Sequence, residues 1–479
     1  MRVAVAGLVL AVLVAPAAAL DGRRLRVRDG RLVDHLRREV VLRGVNARVA
    51  GVFDVTFPDG RLPLEPIPVF DAGDAARMQQ LGFDFLRLPI DWSGLEPVRG
   101  RYDPTYLDRI AAVVDACEAH DVVVLLDFHQ DAFSKEIGED GAPRWVLDLL
   151  LGPTGYPFLG GPLGDLNARR VAPAALAAGQ RFFANDAGIQ DAYAAAVAVV
   201  ARRFARSRAV VGYEIMNEPL VLGVPDPEAV LLAFHRRVLR AVRRVDPRHL
   251  VAFEPNVLRN ATNAAPIPRT PFPDRRALYA PHVYTDVFDG QTYASGDPAE
   301  LLPSMANAAR EAAAWGTPLL VGEYGIDPGA AHANDWITAE LDLQDRFRAH
   351  AAFWVWEETS QGRWGLFEGE DTEPGGERIA RTTALSRVYA RAVPGTVVEH
   401  AFDAQANTLR LRWRPGGRGP IELFVPARRY PTGFAVRCNG APIDAAPDAV
   451  GVVRLRCGRG KGEHLLELAP AARADAITR

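Results

Sequence analysis

Eight short apolar segments, separated by amphipathic segments of helical length, occupy the chain between about residues 38 and 390. Each short segment is continuously apolar rather than alternating, which is typical of strands buried on both faces of a parallel sheet. The alternation predicts an α/β protein with a (β/α)8 TIM barrel, and a doubly wound open sheet is the alternative. The predicted strands are 40–46, 85–89, 122–127, 210–216, 250–254, 277–282, 319–323 and 352–356, and the predicted helices are 71–81, 104–120, 189–205, 227–245 and 301–315.

The pattern changes at about residue 394. Segments 408–413 and 421–425 alternate polar and apolar residues and are followed by turns that contain glycine and proline. This pattern predicts a small antiparallel β-sandwich. With 479 residues, two domains are expected. We predict a catalytic barrel over residues 20–392 and a β-sandwich over residues 393–479.

The first nineteen residues have the composition of a secretory signal peptide. Arg2 precedes an apolar run over residues 3–14, and small residues follow up to Ala19. We predict cleavage after Ala19 and a secreted or extracytoplasmic protein. An uncleaved membrane anchor is the alternative, although the apolar run is short for a membrane span.

Charge and motif content argue against several classes of protein. The net charge of −3 offers no basic surface for nucleic acid, and no nucleic-acid partner is expected. No dinucleotide, P-loop or HExxH signature is present, so we expect no cofactor and no metal. Of the three cysteines, Cys438 and Cys457 lie in strand-like segments and could form a disulfide in an exported protein, whereas Cys117 is expected to be a buried thiol.

Two glutamates end predicted strands of the barrel. Asn217-Glu218-Pro219 follows the apolar run at 210–216, and proline cannot continue a strand ladder. Glu323 ends the run at 319–323. Two carboxylates at the carboxyl ends of barrel strands are what retaining glycoside hydrolysis requires, with a separation of about 5 Å. We assign Glu218 as acid/base and Glu323 as nucleophile, and rank Glu254, Glu357 and Glu358 below them.

Polar and aromatic side chains at other strand ends are expected to bind substrate. A cation or a phenol beside Glu323 would stabilise its ionised form, and an indole suits the apolar face of a sugar. Taken alone, each such residue is as often a packed core residue. The predicted substrate-binding residues are Arg87, Asp127, His129, Asn217, His282, Tyr284 and Trp356.

Several of these residues fall in a familiar order. Arg87, Asn217-Glu218-Pro219, His282-Val283-Tyr284, Glu323 and Trp356 resemble the active-site set of glycoside hydrolase family 5, in the cellulase-like clan. The resemblance implies a barrel and a retaining mechanism in which Glu218 is the acid/base and Glu323 the nucleophile.

A narrower resemblance covers nearly the whole mature chain. The segments 92–97, 127–131, 253–255 and 280–282, together with the trailing β-sandwich, are similar to endoglycoceramidases. That group cleaves the bond between an oligosaccharide and ceramide. Two departures are Phe128, where methionine is commoner, and the loop 47–66, which would line the sugar subsites.

The leading functional hypothesis is a secreted retaining β-glycosidase that acts on a glycolipid. An endo-β-glucanase or β-glucosidase without lipid specificity is the nearest alternative, and a non-catalytic carbohydrate-binding protein is the alternative from another class. Apolar loops at 145–151, 156–161 and 220–225 are candidates for contact with the lipid. The expected partner is a carbohydrate or glycolipid substrate, with possible peripheral contact with a micelle or membrane surface, and the protein is expected to be a monomer.

Overall fold

The computed structural model describes residues 20–262, 272–285, 287, 293–358, 364–367, 376–458, 460 and 462–471. The predicted signal peptide lies outside the described residues. The strands are β1 (Arg26–Arg28), β2 (Arg31–Val33), β3 (Glu39–Val40), β4 (Arg43–Asn46), β5 (Phe85–Asp91), β6 (Val123–His129), β7 (Val210–Glu214), β8 (Leu250–Phe253), β9 (Ala277–Tyr279), β10 (Leu320–Tyr324), β11 (His350–Phe353), β12 (Tyr389–Val393), β13 (Gly395–Asp403), β14 (Thr408–Pro415), β15 (Ile421–Phe424), β16 (Phe434–Cys438), β17 (Ala441–Ile443), β18 (Val452–Leu455) and β19 (His464–Pro470). The helices are α1 (Ala72–Leu81), α2 (Trp92–Leu95), α3 (Pro104–Glu118), α4 (Arg144–Leu151), α5 (Leu166–Arg170), α6 (Pro173–Phe183), α7 (Ile189–Phe204), α8 (Pro227–Val245), α9 (Leu258–Thr262), α10 (Leu302–Trp315), α11 (Ala333–Phe347) and α12 (Ile379–Leu385).

Strands β4 to β11 form a parallel barrel sheet in the order β10-β11-β4-β5-β6-β7-β8-β9. Parallel bridges between Tyr279 and Leu319 and between Val283 and Tyr324 bring β9 against β10, so the sheet is nearly closed. The predicted barrel is therefore confirmed. All eight predicted strands and all five predicted helices exist, although their ends differ by a few residues. Parallel strands carry their carboxyl ends to one face of the barrel, which is where functional side chains collect.

The opposite end of the barrel is filled by apolar side chains. Phe85 and Leu125 point into the barrel, and Leu25 from the N-terminal segment packs into the same cluster. Gly22 permits the close approach of this segment, because a Cβ atom there would lie 2.1 Å from the carbonyl oxygen of Val210. This end is therefore sealed, and ligand access is confined to the face at the carboxyl ends of the strands.

Two antiparallel sheets follow the barrel, as the alternating pattern predicts. Their strand orders are β1-β2-β3-β12-β15-β18 and β13-β14-β19-β16-β17. The first sheet recruits β1 to β3 from the N-terminal region, which the sequence pattern does not predict. Strand β12 (Tyr389–Val393) belongs to the first sheet and spans the predicted domain boundary at residues 392 and 393. A disulfide joins Cys438 to Cys457 with a Cα–Cα distance of 5.8 Å, and Cys117 is a buried free cysteine.

The connection between β6 and α7 is the most elaborate part of the catalytic face. It contains helices α4, α5 and α6, whereas the sequence pattern suggests only an enlarged apolar loop. The pattern also misses α11, between β10 and β11. Across the described residues, no helix is both long and apolar enough to cross a membrane.

Candidate active site

Glu218 and Glu323 face each other at the carboxyl end of the barrel. Glu323 lies within β10, and Glu218 follows β7 by four residues. One carboxylate oxygen of each residue and a ring nitrogen of His282 all lie within 4.8 Å of one another. The side chains are mostly buried, with 8% of Glu218 and 5% of Glu323 exposed. This spacing suits retaining glycosidases, whose carboxyl groups stand about 5–5.5 Å apart.

Glu323 is held by two hydrogen-bond donors. Arg87 Nη1 donates to Glu323 Oε1 at 2.7 Å, and the Tyr284 hydroxyl donates to Oε2 at 2.8 Å. Arg87 is fully buried and also donates through Nε to Glu214 at 2.9 Å. Because the guanidinium is anchored on two sides, it holds one oxygen of Glu323 in place and stabilises its negative charge. Both contacts that the sequence predicts for Glu323 are present.

Glu218 has different neighbours, all on other elements. His282 Nδ1 lies 2.8 Å from Glu218 Oε1, Asn260 Nδ2 donates to the same oxygen at 3.1 Å, and Arg170 Nη2 lies 3.4 Å from Oε2. Burial raises the pKa of Glu218, but the charges of Arg170 and His282 outweigh burial and lower this pKa from 4.5 to about 2. In this arrangement Glu218 is ionised, which is the state that a general base requires.

His282 bridges several carboxylates. Its Nε2 lies 3.3 Å from Glu254 Oε1, and its Nδ1 lies 3.5 Å from Glu323 Oε2 as well as close to Glu218. Burial lowers the pKa of His282, yet Glu254 and Glu323 raise it well above its ordinary value. A positively charged His282 therefore balances the buried carboxylates around it. Glu254 acts here as a partner of His282.

The turn that presents Glu218 is strained. Glu218 has φ +42°, in the left-handed region that non-glycine residues rarely adopt, at a cost of about 1–3 kcal/mol. Gln130 Nε2 donates to the carbonyl oxygens of Asn217 at 2.8 Å and Glu218 at 3.0 Å. The Asn217 side chain in turn accepts from Arg87 Nη2 at 2.8 Å and donates to the Gln130 carbonyl at 3.1 Å. These reciprocal bonds hold the strained turn.

Asp127 and His129 lie at the end of β6, as predicted. His129 Nδ1 is 2.5 Å from Asp127 Oδ2, and its Nε2 is 3.3 Å from Asp131 Oδ2. The His129 ring stacks on the indole of Trp354, with centroids 5.7 Å apart and an interplanar angle of 15°. The half-buried Trp354 indole thus forms one wall of the site.

The structure does not place Trp356 at the site. Trp356 is 2% exposed, donates through Nε1 to Asp74 Oδ1 at 3.1 Å, and packs on Phe83 and Phe367. The predicted strand 352–356 is too long, since β11 ends at Phe353 and the chain then turns outward toward α1. The prediction for Trp356 is therefore wrong, and Trp354 and Trp364 border the cavity beside Glu323 instead.

Two adjoining cavities open beside the glutamates, and we name them the polar cleft and the apolar pocket. Both are bordered by Asp131, Arg170 and Glu218, while Glu323 borders only the polar cleft. The other residues of the polar cleft are Glu139, Gly164, Asp165, Leu166, Asn167, Tyr284, Trp354, Glu358 and Trp364. The other residues of the apolar pocket are Gln130, Ala132, Phe133, Ala175, Leu176, Gly179, Phe182, Phe183, Met216, Leu220, Leu222 and Val257.

The apolar pocket is built differently from the prediction. Only 220–225 among the three predicted apolar loops contributes, through Leu220 and Leu222, and helix α6 contributes five of the other lining residues. The segment 145–151 forms α4, whose Leu147 packs in a cluster with Ala175 and Ala178 of α6. The segment 156–161 does not border the pocket.

The clustered acidic groups are matched by buried cations. Arg48 pairs with Glu139 at 3.1 Å and with Glu358 at 2.6 Å, on the wall of the polar cleft. Among the residues that the structure describes, three groups of carboxylate and histidine atoms are close enough to hold a metal ion. Each group includes residues already paired with arginine or histidine: Glu214 with Arg87, Glu218 with His282, and Asp131 with Arg170.

Arg170, Asn260 and Trp354 are described residues of the site that are absent from the sequence prediction. Gln130 lies in the segment 127–131, which the sequence already marks at the end of β6. Asn260 and Arg170 lie on the short helices α9 and α5, where no periodic pattern marks them. Together the observed groups offer a carboxylate held for nucleophilic attack and a second carboxylate placed to exchange a proton.

The chain is similar in sequence and fold to several known proteins. Residues 71–360 match the family model described as cellulase (glycosyl hydrolase family 5), and residues 387–466 match the glycoside hydrolase family 5 C-terminal domain. Endoglycoceramidase I of Rhodococcus hoagii (strain 103S) is 29% identical over 459 residues, which are 90% of this chain and 85% of that protein. The structure of endo-glycoceramidase II from Rhodococcus sp. in its ganglioside GM3 complex has a TM-score of 0.78 and 27% identity, and covers 93% of this chain and 100% of that chain. The lactosyl-enzyme intermediate of the same enzyme has a TM-score of 0.76 and 27% identity, and covers 92% and 99%.

Proposed function

Because this chain belongs to glycosyl hydrolase family 5 and is a glycosidase, we propose that it cleaves the β-glycosidic bond between a sugar and a lipid. The proposed mechanism is double displacement with retention, and the proposed aglycone is ceramide or a similar lipid. Similarity to an endoglycoceramidase over 90% of the chain supports the substrate class. Similarity to a protein captured as a lactosyl-enzyme intermediate supports the covalent mechanism.

In the proposed reaction, Glu323 attacks the anomeric carbon while Glu218 gives a proton to the leaving oxygen. The glycosyl–Glu323 ester is then hydrolysed by a water molecule that Glu218 deprotonates. Arg87 and Tyr284 hold the nucleophile through both of its oxygens. Glu218 must therefore be protonated in the first step and ionised in the second.

The position of the apolar pocket is the observation that carries the lipid proposal. It adjoins Glu218, which protonates the leaving group, and does not adjoin Glu323. A sugar in the polar cleft would therefore direct its aglycone toward Leu176, Leu220 and Leu222. Burial of each methylene group contributes about 0.8 kcal/mol, so an alkyl chain in this pocket would add substantially to binding.

Placing a charge in the apolar pocket should separate lipid from non-lipid substrates. We expect Leu222→Asp to lower kcat/KM for a fluorescent glycosylceramide at least about tenfold, because loss of two methylene contacts costs about 1.6 kcal/mol. Cleavage of a short aryl β-glycoside should change much less, since its aglycone does not reach Leu222. Both values are measured in the same detergent.

Leu149→Asp is the matched control. Leu149 lies on α4, is 38% exposed and does not border the apolar pocket, so the same substitution there should leave both activities unchanged. Equal losses on the two substrates in Leu222→Asp, or faster hydrolysis of a free oligosaccharide than of its ceramide conjugate, would favour a glucanase or glucosidase without lipid specificity.

The close spacing of the two glutamates predicts product stereochemistry. An inverting enzyme needs about 6.5–9.5 Å between its carboxyl groups to admit a water molecule. The closest oxygens of Glu218 and Glu323 lie within 4.8 Å, so the first-formed sugar should have the β configuration. Proton NMR during the first minutes of hydrolysis measures the anomeric configuration of the released sugar. An α product would contradict the assignment of Glu218 and Glu323 as the catalytic pair.

Secretion is part of the proposal. Arg2, the apolar run 3–14 and the small residues up to Ala19 support export by a cleaved signal peptide. N-terminal sequencing of the mature protein should find Leu20 first. Recovery of the whole protein with Met1 in place, in the membrane fraction, would contradict cleavage.

A further inference from the structure

Arg170 occupies the boundary between the polar cleft and the apolar pocket. The two cavities are lined by different residues except for Asp131, Arg170 and Glu218, which border both. The guanidinium contacts both of these carboxylates, Asp131 through a short ion pair and Glu218 at 3.4 Å. A glycosidic bond under attack by Glu323 and protonated by Glu218 would cross this same boundary.

Arg170 is placed so that it can move. It is the last residue of α5, a helix of five residues, and its side chain is 31% exposed. Its contact with Glu218 is the longer of its two ion pairs and is therefore the weaker one. The adjacent Arg169 donates to the carbonyl oxygens of Gly138 at 2.8 Å and Pro162 at 3.3 Å, which anchors the helix independently of Arg170.

We propose that Arg170 is a positioning residue that contacts Glu218 in the free enzyme and is displaced from it when a substrate spans the polar cleft and the apolar pocket. The proposal rests on the proposed function, since only a substrate with an aglycone beyond Glu218 crosses the boundary. Arg170 keeps its pair with Asp131 as it leaves Glu218.

The displacement resolves a conflict in the proton requirements of the reaction. Glu218 must be protonated to assist the leaving group, whereas Arg170 and His282 stabilise its ionised form. The other ionisable groups that face it are Asp131, Glu323 and Tyr284. As Arg170 moves away, Glu218 loses one of the two cations that lower its pKa while Glu323 remains close, so the pKa of Glu218 rises. Substrate binding would thereby favour the protonated form of Glu218, which is the form that acts as general acid.

The pH dependence of Arg170→Gln tests this proposal. The alkaline limb of the pH profile of kcat/KM reports the pKa of the general acid in the free enzyme. The alkaline limb of the pH profile of kcat reports the pKa of the same group in the substrate complex. In the wild type, we expect the kcat/KM limb at lower pH than the kcat limb. In Arg170→Gln, the kcat/KM limb should move about one to three pH units higher, because the carboxyl group loses its cation. The kcat limb should stay in place.

Arg144→Gln is the matched control, because Arg144 lies on α4 in the same connection, its side chain is 48% exposed and it borders neither cavity. An unmoved kcat/KM limb in Arg170→Gln, or an equal shift in Arg144→Gln, would overturn the proposal. The substrates are a fluorescent glycosylceramide and an aryl β-glycoside. If the wild type cleaves only the aryl glycoside, the proposed lipid specificity is refuted. The pH profiles measured with the aryl glycoside still decide whether Arg170 controls the pKa of Glu218.

A crystal structure gives a readout independent of rates. In Glu323→Gln soaked with an alkyl β-glycoside, Arg170 should lie away from Glu218 while the alkyl chain enters the apolar pocket. An alkyl chain in the pocket with the Arg170–Glu218 contact intact would refute displacement.

Discussion

Replacing Glu323 with glutamine is expected to lower hydrolysis of an activated aryl β-glycoside by several orders of magnitude, because no covalent intermediate can form. The amide oxygen can still accept from Arg87 and the amide nitrogen can donate to the Tyr284 hydroxyl, the two groups that now hold Glu323 at 2.7 Å and 2.8 Å, so the fold should be preserved. Steady-state rates and the thermal unfolding midpoint are the measurements. Near-normal rates would show that the nucleophile has been misassigned.

Glu340→Gln is the matched control for this substitution. Glu340 is a fully buried glutamate on α11, and burial raises its pKa to about 8. It is therefore largely protonated at neutral pH, where glutamine is a close mimic. The control should retain both activity and stability, which separates loss of the nucleophile from loss of a buried carboxyl group.

Glu218→Ala is expected to lower hydrolysis of substrates with poor leaving groups about 10²–10⁴-fold, because the leaving oxygen no longer receives a proton. Aryl glycosides with acidic phenols should be cleaved to their glycosyl–enzyme ester far more readily, since a phenolate leaves without assistance. Rates across a series of aryl leaving groups test this expectation. A uniform loss across the series would count against the acid/base role.

Azide provides a second readout for the same variant. It should enter the space vacated next to His282 and Asn260 and attack the glycosyl–Glu323 ester without a general base. The ester has the opposite anomeric configuration to the substrate, so a second displacement yields a β-glycosyl azide. An α-glycosyl azide would instead mean that azide had replaced the nucleophile, and the two glutamate roles would be exchanged.

Local sequence patterns were sufficient to predict the barrel and to select Glu218 and Glu323 as candidate reactive groups. A parallel strand covered on both faces must be continuously apolar, so the eight runs mark the strands without information from the rest of the chain. Glu218 and Glu323 could be chosen because each ends such a run, and Pro219 marks the exit of the strand. The sequence was less reliable at strand ends: β11 stops at Phe353, and Trp354 borders the polar cleft whereas the predicted Trp356 does not.

Long-range packing decided the remaining features. Strands β1 to β3 join a sheet with β12, β15 and β18, a pairing between opposite ends of the chain that no local pattern encodes. Asn260 reaches Glu218 from a short helix 42 residues later in the chain, and Arg170 reaches it from a short helix 48 residues earlier. Helix α6 contributes five residues to the apolar pocket, and the expected loop 145–151 contributes none.

The sequence by itself therefore determined the barrel and the positions of Glu218 and Glu323 at the carboxyl ends of its strands, because these depend on hydrophobic periodicity and on residues at strand ends. The tertiary structure alone decided which charges surround Glu218 and which side chains line the apolar pocket. Those features arise where separate connections meet at the carboxyl ends of the barrel strands. How closely two connections approach depends on their packing against each other, which neither segment determines alone.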